Sequence, residues 1–393
     1  MTSRPRRIPV ALVVFVAALA CLSSSGAAPQ SPAPQIPVGE YPTGIAIDPA
    51  SRTVYVANGT SGTLSVIDGA RCHVRPTGRC PAARSFRFGI DPVGIGVLHS
   101  RHTLYIVDSA KGVSLIDSRT CRAGDLTGCR MVASTVSVGS DPQFLEVDES
   151  TQTIYVANVR SNTISVIDGT RCNVTVTRGC RHVRATITTA LGPFTFAVDP
   201  ATDSMYVAHL FEPTVSLIDM STCNARVITG CRKRPVTITV GDVPGGIAFA
   251  DELDTVFVSG QMSSDVSLID TRSCNARRTT GCGQKVGRVP SGVGARGVSF
   301  DPATATVYVV NTGADSVTVI DGSTCNARVR SGCRKRTTTP VGISPRRAVV
   351  DVRTGTVYVT NAASNTVSMI DTRVCNGRHP AGCPKPVTGV PVA

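Results

Sequence analysis

The sequence predicts an all-β protein, a seven-bladed β-propeller with four antiparallel strands in each blade. A fixed repeat, an Ile-Asp pair that ends its core, and short alternating apolar runs lead to this prediction. Successive pairs are 49 to 51 residues apart, a period that occurs in propellers and solenoids. Four short runs joined by turns are typical of a blade. The pairs are Ile67-Asp68, Ile116-Asp117, Ile167-Asp168, Ile218-Asp219, Ile269-Asp270, Ile320-Asp321 and Ile370-Asp371.

The content of one repeat justifies each strand in turn. Gly44–Asp48 (GIAID) predicts the first strand, followed by Thr53–Asn58 (TVYVAN) and Thr63–Asp68 (TLSVID). A later run, such as Val236–Val240 (VTITV) in the fourth repeat, predicts the outer strand. Val and Ile favour pleated strands, and no helical period is present. Each repeat therefore supplies one complete blade.

The chain begins with a segment that is typical of a targeting signal. Three arginines precede the apolar run Ile8–Leu22, which has the length of a signal-peptide core. We expect residues 1–27 to be the signal peptide, 28–37 a flexible Pro/Ser/Ala-rich tether and 38–393 the propeller. The alternative is a lipoprotein, with Cys21 as the lipidated residue. Either route predicts a protein that is secreted or associated with the cell envelope.

The second strand of the repeat carries a tetrapeptide that relates the chain to a known family. Tyr358–Asn361 reads YVTN, and Val-Ile-Asp and Asp-Pro elements accompany it. On these motifs the chain from Val38 onward resembles the bacterial YVTN-repeat β-propeller proteins. The resemblance implies the fold and leaves the function open, because propellers serve many functions. Close variants of the motif are Tyr55–Asn58, Tyr155–Asn158 and Tyr308–Asn311, and the departures are Tyr105–Asp108, Tyr206–His209 and Phe257–Gly260.

Fourteen of the 15 cysteines recur as one Cys-x7-Cys pair in each repeat, four residues after the Asp of the Ile-Asp pair. An even number in an exported protein indicates disulfides, and pairing within each repeat is the simplest connectivity. A zinc site is disfavoured by the spacing and by the lack of a recurring His, and redox catalysis by the lack of Cys-x-x-Cys. We therefore expect no metal and no cofactor. The expected disulfides are Cys72–Cys80, Cys121–Cys129, Cys172–Cys180, Cys223–Cys231, Cys274–Cys282, Cys325–Cys333 and Cys375–Cys383.

The cysteine-bearing loops also hold most of the positive charge. The net charge is +13, and 27 of the 40 Lys and Arg residues lie within 17 positions after a blade Asp, against one acid, Asp125. These loops emerge on one face of a propeller near the rim, so we expect a ring of positive charge there. In blade five the candidate positions are 276 and 277, where Ala276 precedes Arg277. The other candidate polyanion-binding residues are Arg226, Arg232, Lys233, Arg234, Arg328, Arg330, Arg334, Lys335 and Arg336.

The opposite face holds the mouth of the central channel, a usual place for a small ligand. The repeats differ from one another there. Blade four has His209 and Glu212 where other blades have Asn and Ser or Gly, and blades six and seven bring Arg296, Arg346 and Arg347 to the start of the first strand. A function that needs one asymmetric site would use such departures, and sequence drift is the alternative explanation.

These features predict a non-enzymatic binding or scaffold protein of the cell envelope, monomeric, whose basic ring contacts a polyanion. The candidate partners are an anionic wall polymer, an acidic glycan, lipid headgroups or extracellular DNA. The first alternative is a propeller enzyme of the lyase or hydrolase type with its site at the channel mouth, although no linear catalytic motif is present. The second is a structural surface protein selected for durability.

Two segments are suited to the outer strand of blade seven, and only one can fill it. They are Gln35–Gly39 (QIPVG) and Pro386–Val392 (PVTGVPV). We expect the C-terminal segment to close the ring, because it follows the disulfide of its own blade directly.

Overall fold

The computed structural model describes residues 33–75, 79–130 and 132–385 and contains seven four-stranded antiparallel sheets. The predicted seven-bladed all-β propeller is confirmed. The predicted signal peptide, Cys21 and residues 28–32 of the predicted tether lie outside the described residues. Within those ranges no helix is long and apolar enough to cross a membrane. The helical elements are four short 3-10 turns, His99–Arg101, Asp251–Leu253, Thr312–Ala314 and Pro380–Gly382.

Each blade runs from the channel outward, because the first strands of neighbouring blades contact one another around the axis. In chain order the strands are β1 (Gln35–Pro37), β2 (Pro42–Asp48), β3 (Thr53–Asn58), β4 (Thr63–Asp68), β5 (Arg84–Arg87), β6 (Pro92–Leu98), β7 (Thr103–Asp108), β8 (Gly112–Asp117), β9 (Ser134–Val136), β10 (Pro142–Asp148), β11 (Thr153–Asn158), β12 (Thr163–Asp168), β13 (Ala185–Thr188), β14 (Pro193–Asp199), β15 (Ser204–His209), β16 (Thr214–Asp219), β17 (Val236–Thr239), β18 (Pro244–Ala250), β19 (Thr255–Gly260), β20 (Asp265–Asp270), β21 (Gly287–Pro290), β22 (Ala295–Asp301), β23 (Thr306–Asn311), β24 (Ser316–Asp321), β25 (Arg336–Pro340), β26 (Pro345–Asp351), β27 (Thr356–Asn361) and β28 (Thr366–Asp371).

The N-terminal segment closes the ring. β1 pairs antiparallel with β28, with Ile36 opposite Val367, and completes the sheet of blade seven. The prediction of C-terminal closure is wrong, because β1 already occupies the outer edge where residues 386–392 were expected to pair. Those residues lie outside the described part of the chain, and the last three residues assigned to the tether form β1 itself. The closing sheet therefore joins the two ends of the propeller.

Both faces of each blade are buried against its neighbours, which explains why the second strands read as nearly continuous apolar runs. Every residue of β11 is buried. Side chains alternate between the two faces of a strand. Ile154 and Val156 accordingly pack in the core shared with blade two, and Tyr155 packs in the core shared with blade four. The hydrophobic core is thus a set of layers between blades.

All seven expected disulfides are present, each within its own blade, with Cα–Cα distances of 4.3 to 4.8 Å. Six of the seven disulfide loops are also bound to the preceding blade by two hydrogen bonds, of which the loop of blade four is the example. Tyr155 Oη donates to the Cys223 carbonyl at 2.8 Å, and the Ala225 amide donates to Thr153 Oγ1 at 2.8 Å. The equivalent tyrosine bonds come from Tyr55, Tyr105, Tyr206, Tyr308 and Tyr358.

Blade five is the exception to this tyrosine bond. It has Phe257 at the tyrosine position, so the Cys325 carbonyl of blade six receives no hydroxyl from that residue. The threonine bond is kept, since the Ala327 amide donates to Thr255 Oγ1 at 3.1 Å. The motif tyrosine thus packs between blades, and its hydroxyl additionally fixes the disulfide loop of the next blade.

Candidate functional sites

The charged candidates for polyanion binding are all exposed on the disulfide loops. Their backbone is held in place before any ligand arrives. In blade four, Asn224 Oδ1 accepts hydrogen bonds from the amides of Arg226 and Val227, at 2.8 and 2.9 Å. Together with the disulfide and the two bonds to the preceding blade, this turn presents the cations on a rigid support.

Carboxylates on the same face reduce the positive charge of the ring. Arg277 lies 2.9 Å from Asp203, and Arg328 lies 2.9 Å from Asp254, both in turns of the preceding blade. These pairs are exposed, so each contributes little stability. Within the described ranges no Asp or Glu oxygen lies within 4 Å of the remaining charged candidates, which are Arg226, Arg232, Lys233, Arg234, Arg330, Arg334, Lys335 and Arg336.

Two clefts run along the outer surface, and basic residues line both. The first, of about 750 Å³, lies between blades three and four, and Arg232–Arg234 form one end of it. Thr188, Thr214 and Thr237 line its walls. The second, of about 590 Å³, lies between blades four and five and includes Lys285. The outer surface therefore has two clefts that are lined by both hydroxyl groups and cations.

Glu212 and His209, both predicted at the channel mouth, lie elsewhere. Glu212 lines the first outer cleft. His209 is fully buried at the position that Asn158 holds in blade three. Its Nε2 is 2.8 Å from Ser216 Oγ, just as Asn158 Nδ2 donates to the matching serine at 3.0 Å. Burial lowers the pKa of His209 to about 4, so its imidazole is neutral at physiological pH.

The three arginines predicted at the channel mouth are brought together there. The guanidinium carbon of Arg347 lies 3.6 Å from the ring centroid of Phe144 and 5.8 Å from that of Phe194. Arg296 lies over the same Phe194 ring at 5.6 Å. The two phenylalanine rings meet edge to face, with centroids 4.8 Å apart. Blades three, four, six and seven thus contribute to one cluster.

Arg346 joins this cluster through blade one. Its guanidinium lies 5.1 Å from the ring centroid of Tyr41, and its Nη2 donates to the Tyr41 hydroxyl. Like charges act between the arginines. Burial lowers the pKa of Arg296 to about 10, with the charge of Arg346 adding to the effect. The Arg296 side chain remains cationic at neutral pH.

Small residues around the axis make room for the large ones. At the strand position of Arg347 and Phe144, four of the other five blades have glycine and blade four has Thr195. A Cβ on Gly44 would meet the Val93 carbonyl oxygen at 2.2 Å, so the first strands of neighbouring blades approach too closely for a side chain. Phe144 and Arg347 therefore line a cavity of about 160 Å³ that is otherwise walled mainly by backbone and aliphatic groups.

Glu146 lies in the same cavity and was missed by the sequence analysis. It follows Phe144 by two residues on β10, at a position where other blades have small residues such as Ala46 and Gly96. Burial in the channel wall and the charge of Asp148 together raise the pKa of Glu146 to about 7, with Arg347 opposing both. Aligning the repeats would have revealed it as the only acid at this position.

The pKa of Arg347 is shifted downward. Burial and the charge of Arg296 lower it to about 9, with Glu146 opposing both. The two groups do not form an ion pair, since no oxygen of Glu146 lies within 4 Å of an arginine nitrogen in the described structure. The cluster is therefore cationic, partly desolvated and without a matched counter-charge.

Comparisons with known proteins bear on the fold. No family model matches the chain, and no curated protein matches it. Among solved structures, the chain is similar to hydrazine synthase from Kuenenia stuttgartiensis, with a TM-score of 0.65 and 18% identity over 88% of this chain and 98% of that chain. This likeness shows the fold alone, and the resemblance to YVTN-repeat propellers stays a prediction. The chain is a seven-bladed β-propeller with a disulfide-closed Cys-x7-Cys loop in every blade.

Proposed function

We propose that this protein is an exported, non-enzymatic binding protein of the cell envelope whose disulfide-loop face binds an anionic polymer. The observation that carries the proposal is the group of eight exposed loop cations without a carboxylate partner in the described structure, defined above. Seven disulfides are typical of an oxidising compartment outside the cytosol, and the leader sequence agrees with export.

The rigidity of the loops favours binding. Ordering a flexible loop on binding costs free energy. Here the loop backbone is already fixed by the disulfide, the Asn turn and the bonds to the preceding blade, so this cost is small. A chain that follows the rim can contact the loops of successive blades, so that weak charge contacts add up. The threonine-lined clefts supply hydroxyl groups beside these cations.

An acidic polysaccharide or wall polymer fits this surface better than a single-stranded nucleic acid. Single-stranded nucleic acids are held largely by aromatic stacking. Aromatic residues make up only 4% of the chain, with no Trp. Within the described ranges the large exposed aromatic side chains are Tyr41 and Phe211, both at the channel-mouth end rather than on the disulfide loops.

Salt-dependent retention on an immobilised acidic polysaccharide tests the proposal. The loop variant R232Q/K233Q/R234Q should elute at clearly lower salt than wild type. The control R87Q/K111Q/R160Q removes the same charge from exposed positions outside the disulfide loops and should elute like wild type. Equal elution of all three proteins, or no retention of wild type at about 50 mM salt, where screening is weak, would contradict the proposal. Retention on DNA or anionic vesicles alone would show that the assigned ligand class is wrong.

A propeller enzyme of the lyase or hydrolase type is the second candidate, and Glu146 is the observation that favours it. A carboxyl with a pKa near 7 beside an arginine is suited to general acid–base catalysis. A panel of lyase and hydrolase substrates should then show an activity that Glu146→Gln abolishes and that the exposed control Glu252→Gln keeps. An activity that survives Glu146→Gln would exclude this site.

A further inference from the structure

We propose that the channel cavity binds one small oxyanion, a carboxylate or phosphate group, at the side chain of Arg347, with Arg296 and Arg346 as neighbouring cations outside the cavity lining. This site is separate from the disulfide-loop face, since it lies at the start of the innermost strands, at the other end of the blades. It would take a single small molecule, because the cavity measures about 160 Å³.

Unsatisfied donors in the cluster point to a missing acceptor. Arg347 Nη2 and Arg346 Nε are buried and have no hydrogen-bond partner within the described structure. Buried polar groups of folded proteins are nearly always paired, so the unpaired Nη2 of Arg347, a residue that lines the cavity, calls for a ligand. Of the three guanidiniums, Arg296 has a weak contact with Gln261 Oε1 at 3.4 Å, and Arg346 has the Tyr41 hydroxyl.

The way Arg347 is held leaves its hydrogen-bonding edge available, whereas Arg346 donates one N–H group to the Tyr41 hydroxyl. Arg347 lies over the Phe144 ring, Arg296 over Phe194 and Arg346 over Tyr41. Stacking uses the flat face of a guanidinium, whereas its N–H groups lie in the plane at the edge. A carboxylate or phosphate accepts two parallel N–H bonds from such an edge. The aromatic rings therefore preorganise the arginines for an oxyanion.

Glu146 sets a limit on the charge of the ligand. It lines the same cavity, and Asp148 and Arg347 are the charged groups that act on it. When ionised, it would repel an anion that carries a second negative charge deep in the cavity. The alternative explanation is that Glu146 serves as the internal counter-ion of the arginines, but the two lie too far apart to pair in the described structure. The effect of removing Glu146 distinguishes these explanations.

Isothermal titration calorimetry on the full protein, with sodium acetate and sodium phosphate against sodium chloride at equal ionic strength, tests the inference. At least one oxyanion should bind saturably, and the comparison of acetate with phosphate identifies the group that the site prefers. R347Q should weaken binding at least tenfold, and R346Q, which removes a neighbouring charge outside the cavity lining, should weaken it less. The control R160Q, which removes an exposed charge from the same end of the propeller, should change affinity less than twofold. At pH 8, E146Q should tighten binding several-fold.

The inference is overturned if neither oxyanion binds more tightly than chloride, or if R347Q binds like wild type. Unchanged affinity in E146Q would place the anion outside the cavity and would also contradict it. If R347Q fails to fold, as judged by circular dichroism, the E146Q measurement decides alone. Retention of R347Q and R346Q on the anionic polymer should equal that of wild type, so failure here is distinguishable from failure of the proposed function.

Discussion

Replacing Tyr155 by Phe removes one oxygen atom from the contact that fixes the disulfide loop of blade four. The Tyr155 hydroxyl and the Cys223 carbonyl are 2.8 Å apart, and both residues are fully buried. The ring itself stays, so no cavity opens. The variant loses a net hydrogen bond and leaves a buried carbonyl without its donor, which together should lower the free energy of unfolding by about 1–3 kcal/mol.

Blade five allows the opposite experiment in the same protein. Phe257→Tyr should place a hydroxyl against the Cys325 carbonyl, since the blade-six loop is held against Thr255 as its counterparts are held in the other blades. A tyrosine of this size already fits at the six equivalent positions. We expect the free energy of unfolding to rise by about 0.5–1.5 kcal/mol, the net value of one hydrogen bond.

Urea unfolding, with thermal unfolding as a second probe, measures both changes. For a chain of this length 1 kcal/mol corresponds to a shift in Tm of about 1–2 °C. The loss caused by Tyr155→Phe should shrink when Cys223 and Cys231 are both replaced by serine, because the untied loop no longer holds its carbonyl against the hydroxyl. The reasoning is refuted if Tyr155→Phe and Phe257→Tyr change the free energy of unfolding in the same direction. It is also refuted if Tyr155→Phe lowers that free energy equally with and without the Cys223–Cys231 disulfide.

Two further predictions concern ring closure and the buried histidine. Ile36→Ala, in the strand that closes blade seven, should destabilise the fold by about 2–4 kcal/mol. Truncation after Lys385 should leave Tm nearly unchanged. If the truncation lowers stability more than Ile36→Ala does, the C-terminal segment closes the ring after all. The pKa of His209 is about 4 in the folded state and 6.5 in the unfolded state. As the pH falls, the unfolded chain therefore binds the proton first. The free energy of unfolding should fall between pH 6.5 and 4 by up to about 3 kcal/mol. His209→Asn should flatten this part of the pH profile of urea unfolding, and the exposed control His182→Asn should leave it unchanged. If His209→Asn and wild type give the same profile, His209 is not the cause.

The repeat made the fold and the disulfides predictable, because each prediction needed only residues within one unit. The closing strand was not predictable in this way, since both chain ends carry similar Pro- and Val-containing segments and the sequence does not say which one reaches β28. The direction of the Tyr155 hydroxyl was also hidden, because packing and hydrogen bonding require the same residue. His209 was misplaced because a polar side chain at a strand end can point into the blade as easily as into the channel.

The channel cluster could not be predicted from its residues taken one at a time. Sequence drift is also a poor explanation of why these residues occur together. Phe144 and Glu146 come from blade three, Phe194 from blade four and Arg347 from blade seven, so no single blade carries the cluster. They meet because the innermost strands of all blades border one axis and glycine elsewhere leaves space for them. Independent drift would scatter large side chains over many positions of the repeat. Here Arg347 lies against the rings of Phe144 and Phe194, and its Nη2 stays unpaired in the described structure. That arrangement is the expected result if the cluster as a whole is selected to hold an anion.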